Sequence, residues 1–121
     1  WDGPAEGERP AAYIVILGNT AITKKFQYDA GIACQSILLG AREKKLAGCI
    51  IGSIKRARLR RILKVLPIYQ ILLVIALGKP REKIRIEPID SGGDIRYWRD
   101  SNGVHHVPQK QLANIILQTF S

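Results

Sequence analysis

Two adjacent histidines, His105 and His106, are the side chains of this 121-residue sequence that could bind a metal ion. Neighbouring side chains in an extended segment point to opposite faces, so the pair cannot converge on one ion. No further cysteine or carboxylate stands at ligand spacing from them, and zinc sites need three or four ligands. The sequence therefore predicts no metal site.

The two cysteines, Cys34 and Cys49, are fifteen positions apart. The first lies in a helical pattern and the second in a short apolar run. A disulfide or a metal site would need secretion signals, closer spacing or more ligands. We therefore expect two buried free thiols. The sequence also lacks a glycine-rich phosphate loop, a nucleophile elbow and a zinc signature, so no catalytic side chain is predicted.

A basic run carries much of the formal net charge of +9. Six of the nineteen basic residues fall within ten positions: Lys55, Arg56, Arg58, Arg60, Arg61 and Lys64. Such a cluster is typical of a nucleic-acid-binding module or of a solvated helix face. Aromatic residues are not interleaved with these cations, and no recognised binding motif surrounds them, so nucleic-acid binding is the weaker interpretation.

Three apolar runs predict the strands that position these residues. Tyr13–Leu17 is β-branched and uninterrupted, which favours a strand buried on both faces. Cys49–Ile51 predicts a short strand. Tyr69–Leu77 is the strongest candidate and should be central, because it is a continuous apolar run that ends at Gly78.

Two helices are predicted between these strands. Gln27–Leu46 has apolar residues at helical spacing on nearly all sides, so it must be covered by its own domain or by a partner subunit. We expect it at a dimer interface. Ser53 is the expected N-cap of a second helix, Ile54–Val65, whose apolar stripe includes Leu59 and Ile62 and which Pro67 stops.

The C-terminal third predicts an extended segment, a hairpin and a helix. Lys83–Ile89 alternates charged and apolar residues, as a half-exposed strand does. Ile95–Arg99 and Val104–Val107 form the expected hairpin, with Asn102-Gly103 supplying positive φ. Pro108 should open a final helix through Thr119, with Leu112, Ile115 and Ile116 as its buried stripe.

Tyr97 and Trp98, in the first strand of that hairpin, could stack on a ligand ring. Packing within the hairpin is the commoner use of such a pair.

The domain organisation follows from these elements. Residues 1–10 are rich in Gly, Pro and Glu and predict an irregular arm, and residues 11–121 predict a single domain of the α+β class with a small mixed or antiparallel sheet. Three strands and two helices make a thin core for this length, so the chain is expected to be part of a folding unit.

No apolar stretch is long enough to span a bilayer. No signal peptide opens the sequence, which predicts a cytoplasmic protein, and Trp1 with no methionine indicates a start that is not native.

Three segments resemble the nitroreductase family. Residues 28–53 resemble the family's Asp-x-Gly-x-Ala-x-Gln helix and Gly-x-Cys-x-Ile-Gly turn through Asp29, Gly31, Ala33, Gln35, Gly48, Cys49, Ile51 and Gly52. Ile71–Pro80 is similar to the last central strand with its Gly-x-Pro ending. Tyr97–Leu112 resembles a tail in which Gly-Val-His-His-Val-Pro precedes a terminal helix.

The resemblance implies the C-terminal half of a family member, since the N-terminal helices with their Arg-Arg-Ser phosphate motif are absent from this sequence. It implies an α+β sandwich whose homodimer builds two FMN sites at the subunit interface. Ile50, Ile51, Gly52 and Ser53 would lie beside the flavin ring, where a main-chain N–H can reach N5 and Gly52 permits close approach.

For the FMN phosphate, the resemblance makes Lys83 and Arg85 the candidates, although a solvated edge strand shows the same alternation. Asp29 takes a position that can face the flavin, and capping its own helix is the alternative.

The resemblance implies an enzyme, an FMN-dependent oxidoreductase that uses NAD(P)H to reduce nitro compounds, quinones or similar acceptors. Two alternatives stay open: a dimerising remnant that binds no flavin, and the basic nucleic-acid module. The sequence does not distinguish NADH from NADPH and does not identify the acceptor.

Overall fold

The computed structural model describes residues 6–89 and 92–120. The chain divides between Pro80 and Arg81 into two compact units. The first contains β1 (Ala12–Asn19), α1 (Gln27–Glu43), β2 (Ala47–Ile51), α2 (Arg56–Leu63) and β3 (Tyr69–Gly78). The second contains β4 (Ile84–Ile89), β5 (Trp98–Arg99), β6 (His105–Lys110) and a 3-10 turn, Leu112–Asn114.

Two helices and two small sheets make the α+β fold that the sequence predicted. The single domain expected over residues 11–121 stays a prediction.

The first unit is built on a three-stranded antiparallel sheet in the order β1-β3-β2. The central position predicted for Tyr69–Leu77 is confirmed. Central strands bury both faces, and β3 supplies four of the buried apolar residues, Ile71, Val74, Ile75 and Ala76. The core of this unit therefore lies along β3.

Strand β1 was predicted to be buried on both faces, and this was wrong. Tyr13 and Ile14 are neighbours and point to opposite faces, yet both side chains are exposed. In sequence, β1 is as apolar as β3, but it lies at the sheet edge. Within the described residues, α1 packs on β2 and β3 and leaves β1 largely uncovered.

Helix α1 packs on the sheet through one narrow side. Its buried residues are Ala30, Cys34 and Ala41. Ile32 and Leu39, on other sides of the helix, are 66% and 61% exposed. An apolar surface of this kind is normally covered by another element or subunit. The helix ends at Glu43, before the predicted Leu46, and Lys45 takes the left-handed conformation with φ 59°.

Gly48 lets α1 approach the start of β2. A Cβ at this position would lie 2.6 Å from Leu38 Cδ2, 2.7 Å from Leu77 Cδ2 and 2.9 Å from the backbone oxygen of Ala76. No side chain fits there without displacing the helix or strand β3, so this glycine is required by packing.

Helix α2 begins at Arg56 with Lys55 as its N-cap, and no side chain caps it. The prediction that Ser53 is the N-cap was wrong, because residues 52–55 are not helical. The helix ends where Lys64 adopts φ 51°, before Pro67. The predicted stripe is not buried in this unit, since Ile62 and Leu63 are exposed.

The second unit is a three-stranded mixed sheet in the order β4-β6-β5. Strand β4 runs parallel to β6, and β5 runs antiparallel to it. The predicted hairpin is confirmed, with Gly103 at φ 72°. Asn102 does not have positive φ. The turn is instead fixed by the Asp100 carboxylate, which accepts the backbone N–H groups of Asn102 and Val104, both at 2.9 Å.

The final helix predicted from Pro108 to Thr119 is wrong. Residues 105–110 form β6, and Pro108 is paired with Glu87 of β4. The His105 N–H donates to the Lys83 carbonyl on the β4 side, so the nitrogen of Pro108 faces the β5 side. Strand β5 pairs with His105 and His106 but not with Pro108. The N–H that proline lacks would therefore have had no partner in this sheet.

The predicted helical stripe of Leu112, Ile115 and Ile116 is not buried in the described part of the second unit, since all three side chains are exposed. An amphipathic helix depends on packing for most of its stability, so the pattern alone is not enough.

Candidate functional site

The chain leaves the first sheet at residues 50–53, which we call the Gly52 turn. Ile51 is the last residue of β2 and pairs with Val74. Neither the Gly52 nor the Ser53 backbone N–H donates a hydrogen bond to any described residue. A Cβ on Gly52 would meet only Leu73 Cδ2, at 3.9 Å. The turn is exposed and therefore has two adjacent main-chain donors with no partner among the described residues.

Arg56, the first residue of α2, anchors this turn to the sheet. Its Nε donates to the Ile71 carbonyl at 3.0 Å, and its Nη2 donates to the Leu72 carbonyl at 2.9 Å and more weakly to Gly52 at 3.4 Å. Strand β2 has ended at this level, so the edge of β3 would otherwise lack a partner. The guanidinium replaces the missing strand with charge-assisted hydrogen bonds.

Arg60, one helical turn later, has the same role. Its Nη1 donates to the carbonyls of Val65 at 3.2 Å and Leu66 at 2.8 Å, and its Nη2 donates to Tyr69 at 2.6 Å. Two of the six cations of the basic run are thus structural. Sequence reasoning missed this role, for which the four-residue spacing of the two arginines was the available signal.

The other four cations of the basic run are all exposed: Lys55, Arg58, Arg61 and Lys64. None forms an ion pair with a residue in the described ranges. The basic surface open to a polyanion is therefore smaller than the sequence suggested.

A groove of about 440 Å³ lies between the start of α1 and β3 in the first unit. Its lining includes Phe26, Gln27, Gln70 and Leu73. Arg56 also lines it and connects it to the Gly52 turn. The groove is open to solvent and is lined by an aromatic ring, side-chain amides and a cation.

Asp29 lies in the first turn of α1 and is exposed. The N-cap is Phe26, and no side chain caps the helix, so the alternative capping role for Asp29 is not seen. Its negative charge still complements the helix dipole.

The two remaining predicted site residues, Lys83 and Arg85, belong to the second unit. Lys83 immediately precedes β4 and is exposed. Arg85 is 70% exposed, and its Nε lies 3.1 Å from Glu87 Oε1. The predicted residues thus fall into two sets, with Asp29 and the Gly52 turn in one unit and the basic pair in the other.

His106 lies at the centre of a polar network on one face of the second sheet. Its Nδ1 lies 2.6 Å from Glu87 Oε1, and its Nε2 lies 3.3 Å from Asp100 Oδ2. The hydrogen bond to Glu87, followed by that to Asp100, raises the pKa of His106. The Trp98 ring stacks on the imidazole at a centroid distance of 4.9 Å, so one face of Trp98 is used in packing.

His105 forms a second network on the opposite face. The Glu82 carboxylate accepts a hydrogen bond from the Arg99 guanidinium, and its second oxygen lies 3.3 Å from His105 Nδ1. Tyr97 packs against the His105 imidazole with ring centroids 5.1 Å apart. The Arg99 hydrogen bond, followed by that of His105, lowers the pKa of Glu82. Sequence analysis placed the histidines on opposite faces but missed their carboxylate partners. Glu82 and Glu87 are 23 and 19 residues from the histidines they contact, and Asp100 is six residues from His106.

Cys34 and Cys49 are both free. Cys34 is buried as predicted. Cys49 is exposed, so its predicted burial was wrong, because β2 is an edge strand whose outer surface is open. Within residues 6–89 and 92–120, no group of three or more His, Cys, Asp or Glu side chains could hold a metal ion. No helix of this described part has the length and apolar character needed to cross a membrane.

Comparison with known proteins identifies the first unit. A search of curated proteins finds no match. The model of the nitroreductase family matches residues 7–79, which is more than half of the chain. The matched segment includes β1 to β3, Asp29 and the Gly52 turn, whereas Lys83, Arg85 and both histidines lie beyond it. The chain therefore belongs to the nitroreductase family.

Proposed function

We propose that this chain is part of an FMN-dependent oxidoreductase that takes electrons from NAD(P)H and reduces nitro compounds, quinones or similar small acceptors. Members of its family are oxidoreductases that typically bind a flavin. The observation that carries the proposal is the pair of unengaged N–H groups at Gly52 and Ser53, within the matched segment.

The residues of the Gly52 turn fit a flavin ring edge. A ring nitrogen needs a donor that is close and not already bonded, and main-chain N–H groups beside a residue without Cβ meet that need. The flavin, when bound, supplies the transfer of a hydride or electron pair. The chain contributes orientation: Ile50 and Ile51 offer apolar contact, Gly52 and Ser53 offer donors, and Asp29 offers a carboxylate.

For the phosphate end of FMN we propose Lys83 and Arg85, which are both exposed cations on or beside β4. Arginine matches phosphate geometry, and lysine adds a point charge. These two residues lie outside the matched segment, so their role needs a separate test.

We also propose a homodimer in the cytoplasm, with α1 at the interface. Family members are generally dimeric. Helix α1 exposes Ile32 and Leu39, at 66% and 61%, on sides that do not pack on the sheet. A partner subunit would cover this apolar surface.

The same exposed surface supports a second candidate, a dimerising remnant that binds no flavin. Both candidates predict an associating chain, but only the first predicts a visible spectrum. A nucleic-acid module is less well supported, since Arg56 and Arg60 are engaged with backbone carbonyls.

The visible absorption spectrum of the purified chain, before and after addition of FMN and removal of unbound ligand, tests the proposal. The enzyme should retain stoichiometric flavin bands, and NAD(P)H should bleach them without oxygen. A chain that stays colourless in excess FMN contradicts flavin binding and leaves the remnant. Intact mass on the same sample defines the ends of the chain.

A further inference from the structure

One carboxylate oxygen in the second unit is shared by two cationic side chains. Glu87 Oε1 lies 2.6 Å from His106 Nδ1 and 3.1 Å from Arg85 Nε. The three side chains share a sheet face, because Arg85 and Glu87 are two residues apart on β4 and Arg85 is the register partner of His106 on β6. Glu87 Oε1 therefore contacts both side chains at once, and the charge of either one changes how strongly Glu87 attracts the other.

The two partners of Glu87 are held very differently. The His106 side chain is 12% exposed, is stacked on Trp98 and is bonded at both ring nitrogens. Arg85 is 70% exposed, and Glu87 is its partner. Exposed ion pairs of this kind contribute little free energy and are exchanged easily. Arg85 is therefore the side chain that can leave Glu87.

We propose that His106 is a positioning residue for Arg85: its charged form neutralises Glu87 and frees the Arg85 guanidinium to bind a phosphate group. When the imidazole is neutral, Glu87 retains Arg85, and phosphate binds more weakly. The proposal rests on the phosphate role proposed above for Arg85, and it adds a dependence of that site on proton uptake.

The other charged groups around His106 do not change charge in the pH range where the imidazole does. Asp100 faces its Nε2, and the Val104 backbone N–H is the first of the groups that lower the Asp100 pKa, so this carboxylate stays ionised where an imidazole titrates. Lys110 lies on the same sheet face as Arg85, and Lys83 immediately precedes β4. The imidazole, whose pKa its two carboxylate partners raise, is the group that changes charge near neutral pH.

Because the two equilibria are linked, phosphate binding must in turn affect the protonation of His106. A phosphate group that draws Arg85 from Glu87 leaves that carboxylate less compensated and adds negative charge nearby. Both changes favour the imidazolium. If protonation strengthens phosphate binding about fivefold, bound phosphate must raise the His106 titration midpoint by about 0.7 pH unit.

The test is a proton NMR titration of the His106 ring in the full chain, with and without inorganic phosphate at matched ionic strength. The wild-type midpoint should rise with phosphate. Arg85→Gln should abolish the rise, and Arg96→Gln should keep it, because Arg96 is likewise paired with an acid, Asp94, and loses the same charge. An unmoved wild-type midpoint, or an equal rise in Arg85→Gln, overturns the proposal.

Glu87→Gln gives a second, independent readout. Arg85 is then free at every pH, so phosphate should bind at about pH 9 as tightly as it binds the wild type at about pH 6, once the ionisation of phosphate itself is allowed for. A variant that retains the wild-type pH dependence contradicts coupling of His106 to Arg85 through Glu87. Backbone amide spectra show that each variant is folded.

A parallel titration with FMN separates this proposal from the flavin proposal. If phosphate moves His106 but FMN does not bind, the coupling stands and the flavin function fails. If FMN binds but neither ligand moves His106, the flavin function stands and the coupling fails.

Discussion

Arg56 Nε donates a hydrogen bond to the carbonyl oxygen of Ile71 at 3.0 Å, at the level where β2 has already ended. A side chain of the basic run therefore completes the edge of the central strand. The contact links the start of α2, the Gly52 turn and β3 in one polar cluster.

Replacement of Arg56 by alanine should lower the free energy of unfolding by about 1–3 kcal/mol, because two carbonyls of β3 lose a charged donor. Arg58→Ala is the matched control, since it removes the same charge from an exposed position of the same helix and should change stability by no more than about 0.5 kcal/mol. Urea denaturation followed by circular dichroism measures both. Equal midpoints for the two variants would show that Arg56 is not structural.

Gly48→Ala should destabilise the first unit by about 1–3 kcal/mol, because its Cβ would overlap Leu38, Leu77 and the backbone of Ala76. Thermal unfolding reports the loss. Preserved stability would mean that α1 can move away from β2 at little cost.

Gly52→Val should leave the stability nearly unchanged and weaken FMN binding. The space beside Gly52 is open in the chain itself, so the unfolding free energy should change by less than about 1 kcal/mol. FMN binding should weaken at least tenfold, because the side chain would occupy the place of the ring edge. Flavin fluorescence quenching measures the affinity. Flavin binding equal to that of the wild type argues against contact at this turn.

The second unit should have a stability maximum in mildly acidic solution. The raised pKa of His106 contributes stability that is complete below the unfolded value of about 6.5 and is lost as pH rises through the folded value. The lowered pKa values of Glu82 and Asp100 contribute stability that is present above about pH 4.5 and lost as pH falls through their folded values.

The predicted maximum therefore lies at roughly pH 5–6. Urea midpoints of resonances from the second unit, measured across pH, test this prediction. His106→Gln should remove the alkaline decline and keep the acidic one. A decline above neutrality that persists in this variant would assign the effect to another group.

Leu39→Glu should weaken self-association, since α1 exposes this residue on a surface proposed to lie between subunits. A buried unpaired carboxylate at an interface costs several kcal/mol. Ile62→Glu on α2 is the control for an equally drastic change on another exposed apolar surface. Sedimentation equilibrium measures the dissociation constant, and equal weakening in both variants would count against α1 as the interface.

Local sequence pattern predicted much of the first unit. The continuous apolar run of β3 and the helical spacing of α1 are repeated over many residues, so small irregularities do not obscure them. The same reasoning failed for β1 and for the C-terminal segment. The pattern of Tyr13–Leu17 predicts a strand buried on both faces, but this segment is an exposed edge strand. Pro108 was predicted to start a helix, but it lies in β6.

Only residues close together in sequence could be grouped from the sequence. Ile50 to Ser53 are consecutive and cross the end of β2, and their contact with a flavin stays a prediction. The Glu87–His106–Asp100 network could not be grouped in this way, because its members come from different elements.

The amino-acid pattern alone thus determined the element types of the first unit, the α+β class and the family, because hydrophobic periodicity and short motifs are local properties of the chain. Tertiary structure decided which strand is an edge, which cations donate hydrogen bonds to backbone carbonyls and which carboxylates flank each histidine. Those outcomes depend on hydrogen bonds between residues distant in sequence, and their partners are set by strand register and burial.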